Sequence, residues 1–524
     1  MTYRAWKRFC KFLSISSDAM SGYFSRLPLI VVLMGVSALA MMLPAAVASA
    51  LDDHLIARVF FYSSLLFLIL TGLIGFATQT LPAVTSPRAH LVALLAAYLL
   101  LPLILAFPFA EAVGNTRYIN AYLEMVSSLT TTGASFFEPE RLTPAVHLWR
   151  GLVGWMGGFL IWVTAVAVLA PLNLGGYEVT SEAVSLDRVQ SGSGQMQAAT
   201  PAERLTRHAA RLAPVYLSLT MALWIGLLVS GEMPLTALIH AMSTLATSGI
   251  SPTGGLEGRP SGVAGEVLIF LFFIFAVSRR SFTSGFSSET AKRLAKDREL
   301  RLALFAVIVL PTLLFARHWL GALEVDELAN VEGAMTALWG SVFTVLSFLT
   351  TTGFVSESWV EARAWSGLPT PGLVLIGLVL MGGGVATTAG GVKLLRVYAL
   401  YKHGTREMEK LLHPHSVAGA GRLGRRIRRE GAYIAWIFFM LFILSMAVIM
   451  AALALTGLSF EAALVLAVSA LTTTGPLAAV AAEIPISYIG LSDAAKLILA
   501  GAMIVGRLET LVLLALINPG YWRA

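Results

Sequence analysis

Four times along this chain a short polar tripeptide ending in glycine interrupts an apolar background: Thr131-Thr132-Gly133, Thr247-Ser248-Gly249, Thr351-Thr352-Gly353 and Thr473-Thr474-Gly475. The glycines stand 116, 104 and 122 residues apart. Each tripeptide follows a serine and an apolar residue in nearly the same frame, as SSLTTTG, STLATSG, SFLTTTG and SALTTTG. Self-similarity at a long and nearly even spacing marks a repeated structural unit, so the fold must contain four equivalent parts.

The background between the repeats decides the solvent. Of 524 residues, 57% are hydrophobic and only 13% charged. A soluble core cannot hide that much apolar surface. Ten apolar runs are candidates to cross a bilayer, on the criterion of about 20 residues for roughly 30 Å of hydrocarbon. They lie near 28–51, 57–79, 90–110, 148–172, 209–230, 262–278, 302–320, 371–392, 431–456 and 496–517. The expected fold is therefore an all-α polytopic membrane protein with ten transmembrane helices. The first run is too long and too late for a cleaved signal, and is expected to stay in place.

Charge sets the orientation. Basic residues cluster at Arg4, Lys7, Arg8 and Lys11, then at Arg279, Arg280, Lys292, Arg293, Lys296, Arg298 and Arg301. A third cluster, read as a loop between the eighth and ninth spans, holds Lys402, Arg406, Lys410, Arg422, Arg425, Arg426, Arg428 and Arg429. The alternate loops carry Glu138, Glu140, Glu324, Asp326, Glu327, Glu332, Glu357 and Glu361. The positive-inside rule places both termini in the cytoplasm, and an even number of spans requires that they share a side. The net charge of +7 thus belongs to membrane topology and implies no nucleic acid. The single cysteine, Cys10, excludes a disulfide framework.

Spans three to ten pair off around the four tripeptides. Each pair encloses a short stretch, near 120–130, 236–246, 336–350 and 460–472, that at about 1.5 Å per residue covers half a membrane. These stretches read as re-entrant pore helices. The expected organisation is 1–85 (cytoplasmic N-terminus and two extra helices), then pore repeats at 86–186, 187–300, 301–420 and 421–524, related by pseudo-symmetry about an axis normal to the membrane. Irregular backbone at membrane depth is tolerated only where protein buries it or where it lines water. The tripeptides must face an internal path.

The chemistry follows. A helix C-terminus aimed at the membrane centre brings partial negative charge and favours a cation. Extended backbone beyond it can turn carbonyls to the axis, and rings of carbonyls replace the hydration shell of a weakly hydrated ion such as K+. A single Thr-Thr-Gly is equally a helix end with glycine as its cap; four copies in one frame argue for the ring. Two further features interrupt the apolar runs. Gly382, Gly383, Gly384, Gly390 and Gly391 crowd the eighth span around Thr387 and Thr388, up to Lys393, where glycines weaken a helix by about 1 kcal/mol each. An intramembrane loop, or close helix packing through small residues, is expected there. Arg507 stands inside the last apolar run, at a costly position, with Glu509 as a possible partner two residues on. The GxGxxG at 419–424 lacks the preceding strand a dinucleotide site needs, and His413 and His415 lack further metal ligands.

These residues resemble the Trk/Ktr/HKT superfamily of cation transporters over nearly the whole chain. Besides the four tripeptides, the likeness lies in LWRGLVGWMGGFLIWVTAVAVLAP at 148–171, HAMSTLATSG at 240–249, GGGVATTAGGVK at 382–393, TTTGP at 472–476 and GRLE at 506–509. The two extra N-terminal spans resemble the TrkH branch. The resemblance implies four membrane–pore–membrane units around one K+ path, in a homodimer in the bacterial inner membrane. It implies a K+ filter made by Thr131, Thr132, Gly133, Thr247, Ser248, Gly249, Thr351, Thr352, Gly353, Thr473, Thr474 and Gly475, and glycine in all four units goes with K+ rather than Na+. It also implies a mobile gate at Gly382, Gly383, Gly384, Thr387, Thr388, Gly390, Gly391 and Lys393, with Arg507 as an electrostatic barrier beneath the filter. A separate cytosolic nucleotide-binding regulator of the TrkA kind is implied as partner. The chain departs from the family pattern where the filters continue Gly249-Ile250-Ser251 and Gly475-Pro476-Leu477. A Na+ or poorly selective cation transporter is the alternative within transport. A polytopic membrane enzyme is the alternative outside it, for which no nucleophile–base pair or ligand cluster is apparent.

Overall fold

Within lipid a long apolar run closes its backbone hydrogen bonds on itself, and only a helix does so in a single segment. The computed structural model describes residues 27–78, 87–171, 174–179, 201–279, 297–322, 331–367, 372–412 and 422–510. Among these residues all regular structure is helical, and seven helices are long and apolar enough to cross a membrane. The N-terminal basic cluster, Arg280, Lys292, Arg293, Lys296, Glu324, Asp326, Glu327, His413, His415, the first half of the GxGxxG motif and the end of the tenth apolar run lie outside the described residues.

The first two helices, α1 (Leu29–Ala50) and α2 (His54–Thr78), pack on each other and on α3 (Pro87–Val113). Phe61, Leu65, Ile69 and Leu73 recur every four residues along α2 and stay exposed, a continuous apolar stripe suited to lipid. The first unit continues with pore helix α4 (Tyr118–Leu129) and α5 (Pro144–Thr164), which runs on to Leu169. The second has α6 (Pro201–Val229), pore helix α7 (Pro234–Ala246) and the apolar helix α8 (Gly262–Val277), which kinks at Phe273. The third has α9 (Arg298–Ala322), pore helix α10 (Val331–Leu349), the short α11 (Trp359–Ser366), α12 (Gly372–Met381) and α13 (Leu394–Leu412). The fourth has α14 (Arg422–Ala454), pore helix α15 (Phe460–Leu471), the one-turn α16 (Leu477–Val480) and α17 (Asp493–Leu508).

Three elements differ from expectation. The apolar run at 371–392 is not one helix. It ends at Met381, and the glycine-rich 382–393 is irregular, because glycine neither favours a helix nor fills the space a side chain would. The basic stretch after it, expected as a loop, is helical over Leu394–Leu412, where Lys402, Arg406 and Lys410 reside, and again from Arg422, so that Arg422, Arg425, Arg426, Arg428 and Arg429 belong to the helix Arg422–Ala454. The third pore helix has 19 residues, longer than the half-span expected from 336–350.

Small residues set how closely the spans approach the pore helices. On α5, a side chain at Gly157 would strike the backbone of Leu129, and one at Gly158 the backbone of Ala246. These are the last residues of the first two pore helices, so the GWMGGF motif lets one span press against two filters.

Candidate functional site

The four pore helices end in one way. The middle residue of each tripeptide returns its N–H to the carbonyl of the repeated serine: Thr132 to Ser127 at 2.8 Å, Ser248 to Ser243 at 3.0 Å, Thr352 to Ser347 at 3.0 Å and Thr474 to Ser469 at 2.8 Å. The first residue of each bonds one position later, Thr131 to Ser128 at 2.9 Å and its counterparts likewise. This pair of bonds is a Schellman cap, whose outer residue must be left-handed. That residue is threonine each time: Thr131 at φ 55°, Thr247 at 52°, Thr351 at 57° and Thr473 at 53°. A β-branched residue there is a true outlier, of the kind that clusters at functional sites. The helices are thus capped by the first threonine, two residues before the glycine that sequence reasoning offered as the cap.

The glycines carry the chain around a closed ring. A side chain at Gly133 would strike the Ser248 carbonyl; at Gly249, the Thr352 carbonyl; at Gly353, the ring of Pro476; at Gly475, the backbone of Gly133 and Ala134. Each unit therefore meets the next in chain order, and the fourth meets the first. Gly133, Gly249 and Gly353 hold φ of 71°, 64° and 81°, whereas Gly475 is not left-handed. Here the fourth unit departs from the expected equivalence of the four glycines. Among the described residues, the carbonyls of Thr131, Gly133, Thr247, Ser248, Gly249, Thr351, Thr352 and Gly353 accept no hydrogen bond from the protein. Buried carbonyls without protein donors are suited to a cation.

Each turn is braced from behind, by residues that sequence reasoning missed. In the first unit Glu124 accepts from Phe136 N–H at 2.7 Å and from Arg150 Nε at 2.6 Å, and Arg150 reaches Ser135 at 3.0 Å. In the second, His240 meets Ser251 at 3.0 Å. In the third, Glu266 accepts from Ser356 at 2.8 Å, Glu357 N–H at 2.7 Å and Trp339 at 2.7 Å. In the fourth, Tyr488 bonds Ser469 at 2.6 Å and the Gly475 carbonyl at 3.1 Å. A charge inside an apolar run, as at Glu124, Arg150 and Glu266, was the available signal. His240 and Tyr488 offered none.

Beneath the ring lies the 382–393 loop, buried along almost its whole length. Gly390 N–H donates to Thr351 Oγ1 at 2.7 Å, and a side chain on Gly390 would strike the Thr472 carbonyl. Thr388 donates to the Leu245 carbonyl at 3.0 Å. Val385 and Ala386 pack with Leu169 and Tyr177 of the first unit. The loop thus touches all four units across the axis. Thr387 binds Gly384 O at 2.8 Å, Lys393 Nζ binds Ala389 O, and Glu299 accepts from Val385 N–H at 2.7 Å. Gly382 and Gly391 pack backbone to backbone at the base, with Gly383 and Gly384 against Ala276 and Val277. Arg507 donates to the Thr388 carbonyl at 2.7 Å; its Nε and other terminal nitrogen have no partner among the described residues. Glu509 does not pair with Arg507. It pairs with the buried Arg396 at 2.8 Å, because the helix ends at Leu508 and Glu509 turns to φ 64°.

An all-helical, multi-pass membrane protein with four re-entrant turns closed into one ring is the class this fold and site define. The chain belongs to the TrkH family of cation transport proteins. The family's sequence profile, described as "TrkH: Cation transport protein", matches residues 268–519. The Trk system potassium uptake protein TrkH of Salmonella typhimurium is 30% identical over 428 residues, covering 80% of this chain and 82% of that protein. TrkH of Escherichia coli K12 is 30% identical over the same shares. The crystal structure of the potassium transporter TrkH from Vibrio parahaemolyticus aligns with a TM-score of 0.78 at 24% identity. It covers 96% of this chain and all of that one, and establishes the shared fold.

Proposed function

We propose that this chain is the pore-forming subunit of a Trk-type system that takes K+ into a bacterial cell across the inner membrane. The closed ring of four threonine-capped turns supports it most directly, since it gathers carbonyls without protein donors on one axis at the ends of four helix dipoles. The relatives named as potassium uptake proteins cover four fifths of the chain. K+ is bound by the backbone of Thr131 to Gly133, Thr247 to Gly249, Thr351 to Gly353 and by the fourth turn from Thr473. Inward movement is driven by the membrane potential, about 2.3 kcal/mol per charge per 100 mV.

The 382–393 loop and Arg507 form the gate on the cytoplasmic side: the loop crosses the path, and the guanidinium adds a positive barrier at the same depth. Both termini are cytoplasmic, the protein works as a homodimer, and a separate cytosolic nucleotide-binding protein docks on the basic cytoplasmic elements. A bacterium lacking its own K+ uptake systems tests the function. Expression of this chain should restore growth at low external K+; failure of correctly inserted protein to do so at any K+ concentration rejects it.

A further inference from the structure

The fourth filter turn differs from the other three in where its carbonyls go. Thr474 O accepts from Ser469 Oγ at 2.9 Å and from Leu477 N–H at 3.2 Å. Gly475 O accepts from Tyr488 Oη at 3.1 Å, Ala478 N–H at 3.2 Å and Ser469 Oγ at 3.5 Å. Leu477 N–H and Ala478 N–H hold one lone pair of each oxygen, and the hydroxyls of Ser469 and Tyr488, 2.6 Å apart and with one proton apiece, face the other. The Gly475 amide, in turn, points across to the first unit and donates to Thr132 O at 2.5 Å. The cause is local. Pro476 takes φ −60° and ψ −16° and opens α16 at once, so the chain turns away from the axis where the first three units continue as irregular backbone. The Pro476 ring then faces two other units: a side chain on Gly249 would lie 2.9 Å from its Cγ, and one on Gly353 3.1 Å from it.

We propose that the outer level of the filter is three-sided: Gly133, Gly249 and Gly353 supply its carbonyls, while the fourth unit contributes the apolar edge of Pro476. Tyr488 is the positioning residue that keeps the Gly475 carbonyl off the ion. Four-sided coordination is confined to the inner level, at Thr131, Thr247, Thr351 and Thr473. The outer level is a weak station where the ion keeps part of its water, and strict selection falls to the inner level, because fewer carbonyls replace less of the hydration shell. This rests on the K+ transport proposed above.

The test uses the full-length protein in proteoliposomes, with K+ and Rb+ uptake over a range of outside concentrations and with Na+ as competitor. Tyr488→Phe keeps the ring, which packs against Phe136 at 5.6 Å, and removes only the hydroxyl. Pro476→Gly relaxes the turn without touching Tyr488. Each should release the Gly475 carbonyl toward the axis and lower the half-saturating K+ concentration by roughly threefold to tenfold, the effect of about one hydrogen-bond-strength ligand. The K+ over Na+ ratio should rise with it. If Tyr488 only supports the fold, the maximal rate falls with the amount of folded protein while half-saturation and ion ratio stay as in wild type. That result, or a raised half-saturating concentration, overturns the three-sided filter while active wild type still upholds transport. Inert wild-type vesicles would overturn both.

Discussion

At the residue scale, the chemistry rests on side chains and amides held where they are costly. Gly133 is left-handed and its missing Cβ lies against the Ser248 carbonyl. Gly133→Ser should therefore displace coordinating backbone and loosen the preference for K+ over Na+; Rb+ and Na+ uptake by the variant checks it, and unchanged selectivity removes Gly133 from the ion path. The Glu124–Arg150 pair is buried at 2.6 Å. Arg150→Met would strand a buried carboxylate, at a cost of about 3–5 kcal/mol. A large drop in thermal stability in detergent is the expected outcome, and one within a degree or two of wild type would mean that water reaches Glu124. Arg507→Ala removes a positive charge below the filter without touching the ring. Flux should rise while the K+ over Na+ ratio stays constant, both read from proteoliposome uptake.

At the element scale, the irregular 382–393 loop is buried and touches all four units. It bonds the third filter through Gly390, the end of the second pore helix through Thr388, and α17 through Arg507. Such a segment can leave only if these bonds break together, which suits a two-state gate. Deleting residues 386–389 shortens it beneath the ring and should raise ion flux. If the shortened protein is stable and dimeric yet conducts no faster than wild type, the loop is packing and the gate lies elsewhere. The glycine content made this irregularity legible in the sequence. The partners of the loop were not, since Thr351, Leu245 and Arg507 are separated from it by dozens to more than a hundred residues.

At the scale of the whole molecule, two extra helices flank four units that close into one ring. Lys402 and Arg406 sit on α13, the helix that begins directly after the 382–393 loop proposed as the gate. A regulator bound to that helix has a short mechanical route to the gate. Pull-downs from the native membrane should recover a cytosolic nucleotide-binding protein, and nucleotide should change flux through the complex. Full activity of the purified subunit regardless of nucleotide, with no such protein recovered, would argue against it.

The sequence by itself determined the membrane class, most of the apolar helices and the positions of the four Thr/Gly turns. These depend on hydropathy and on residue patterns within a few positions of each other, which a chain displays without folding. It also marked Arg507, since a charge in an apolar run stands out wherever it packs. Only the tertiary structure decided that the first threonine, rather than the glycine, caps each pore helix, because φ depends on the bonds that the preceding serine carbonyl makes. Only it paired Glu509 with Arg396 across 113 residues, and only it turned the carbonyls of Thr474 and Gly475 away from the axis. The ion pair follows from a contact between distant segments, which no local pattern encodes; the cap and the turned carbonyls rest on bonds a few residues apart, whose geometry the packing of the four units selects.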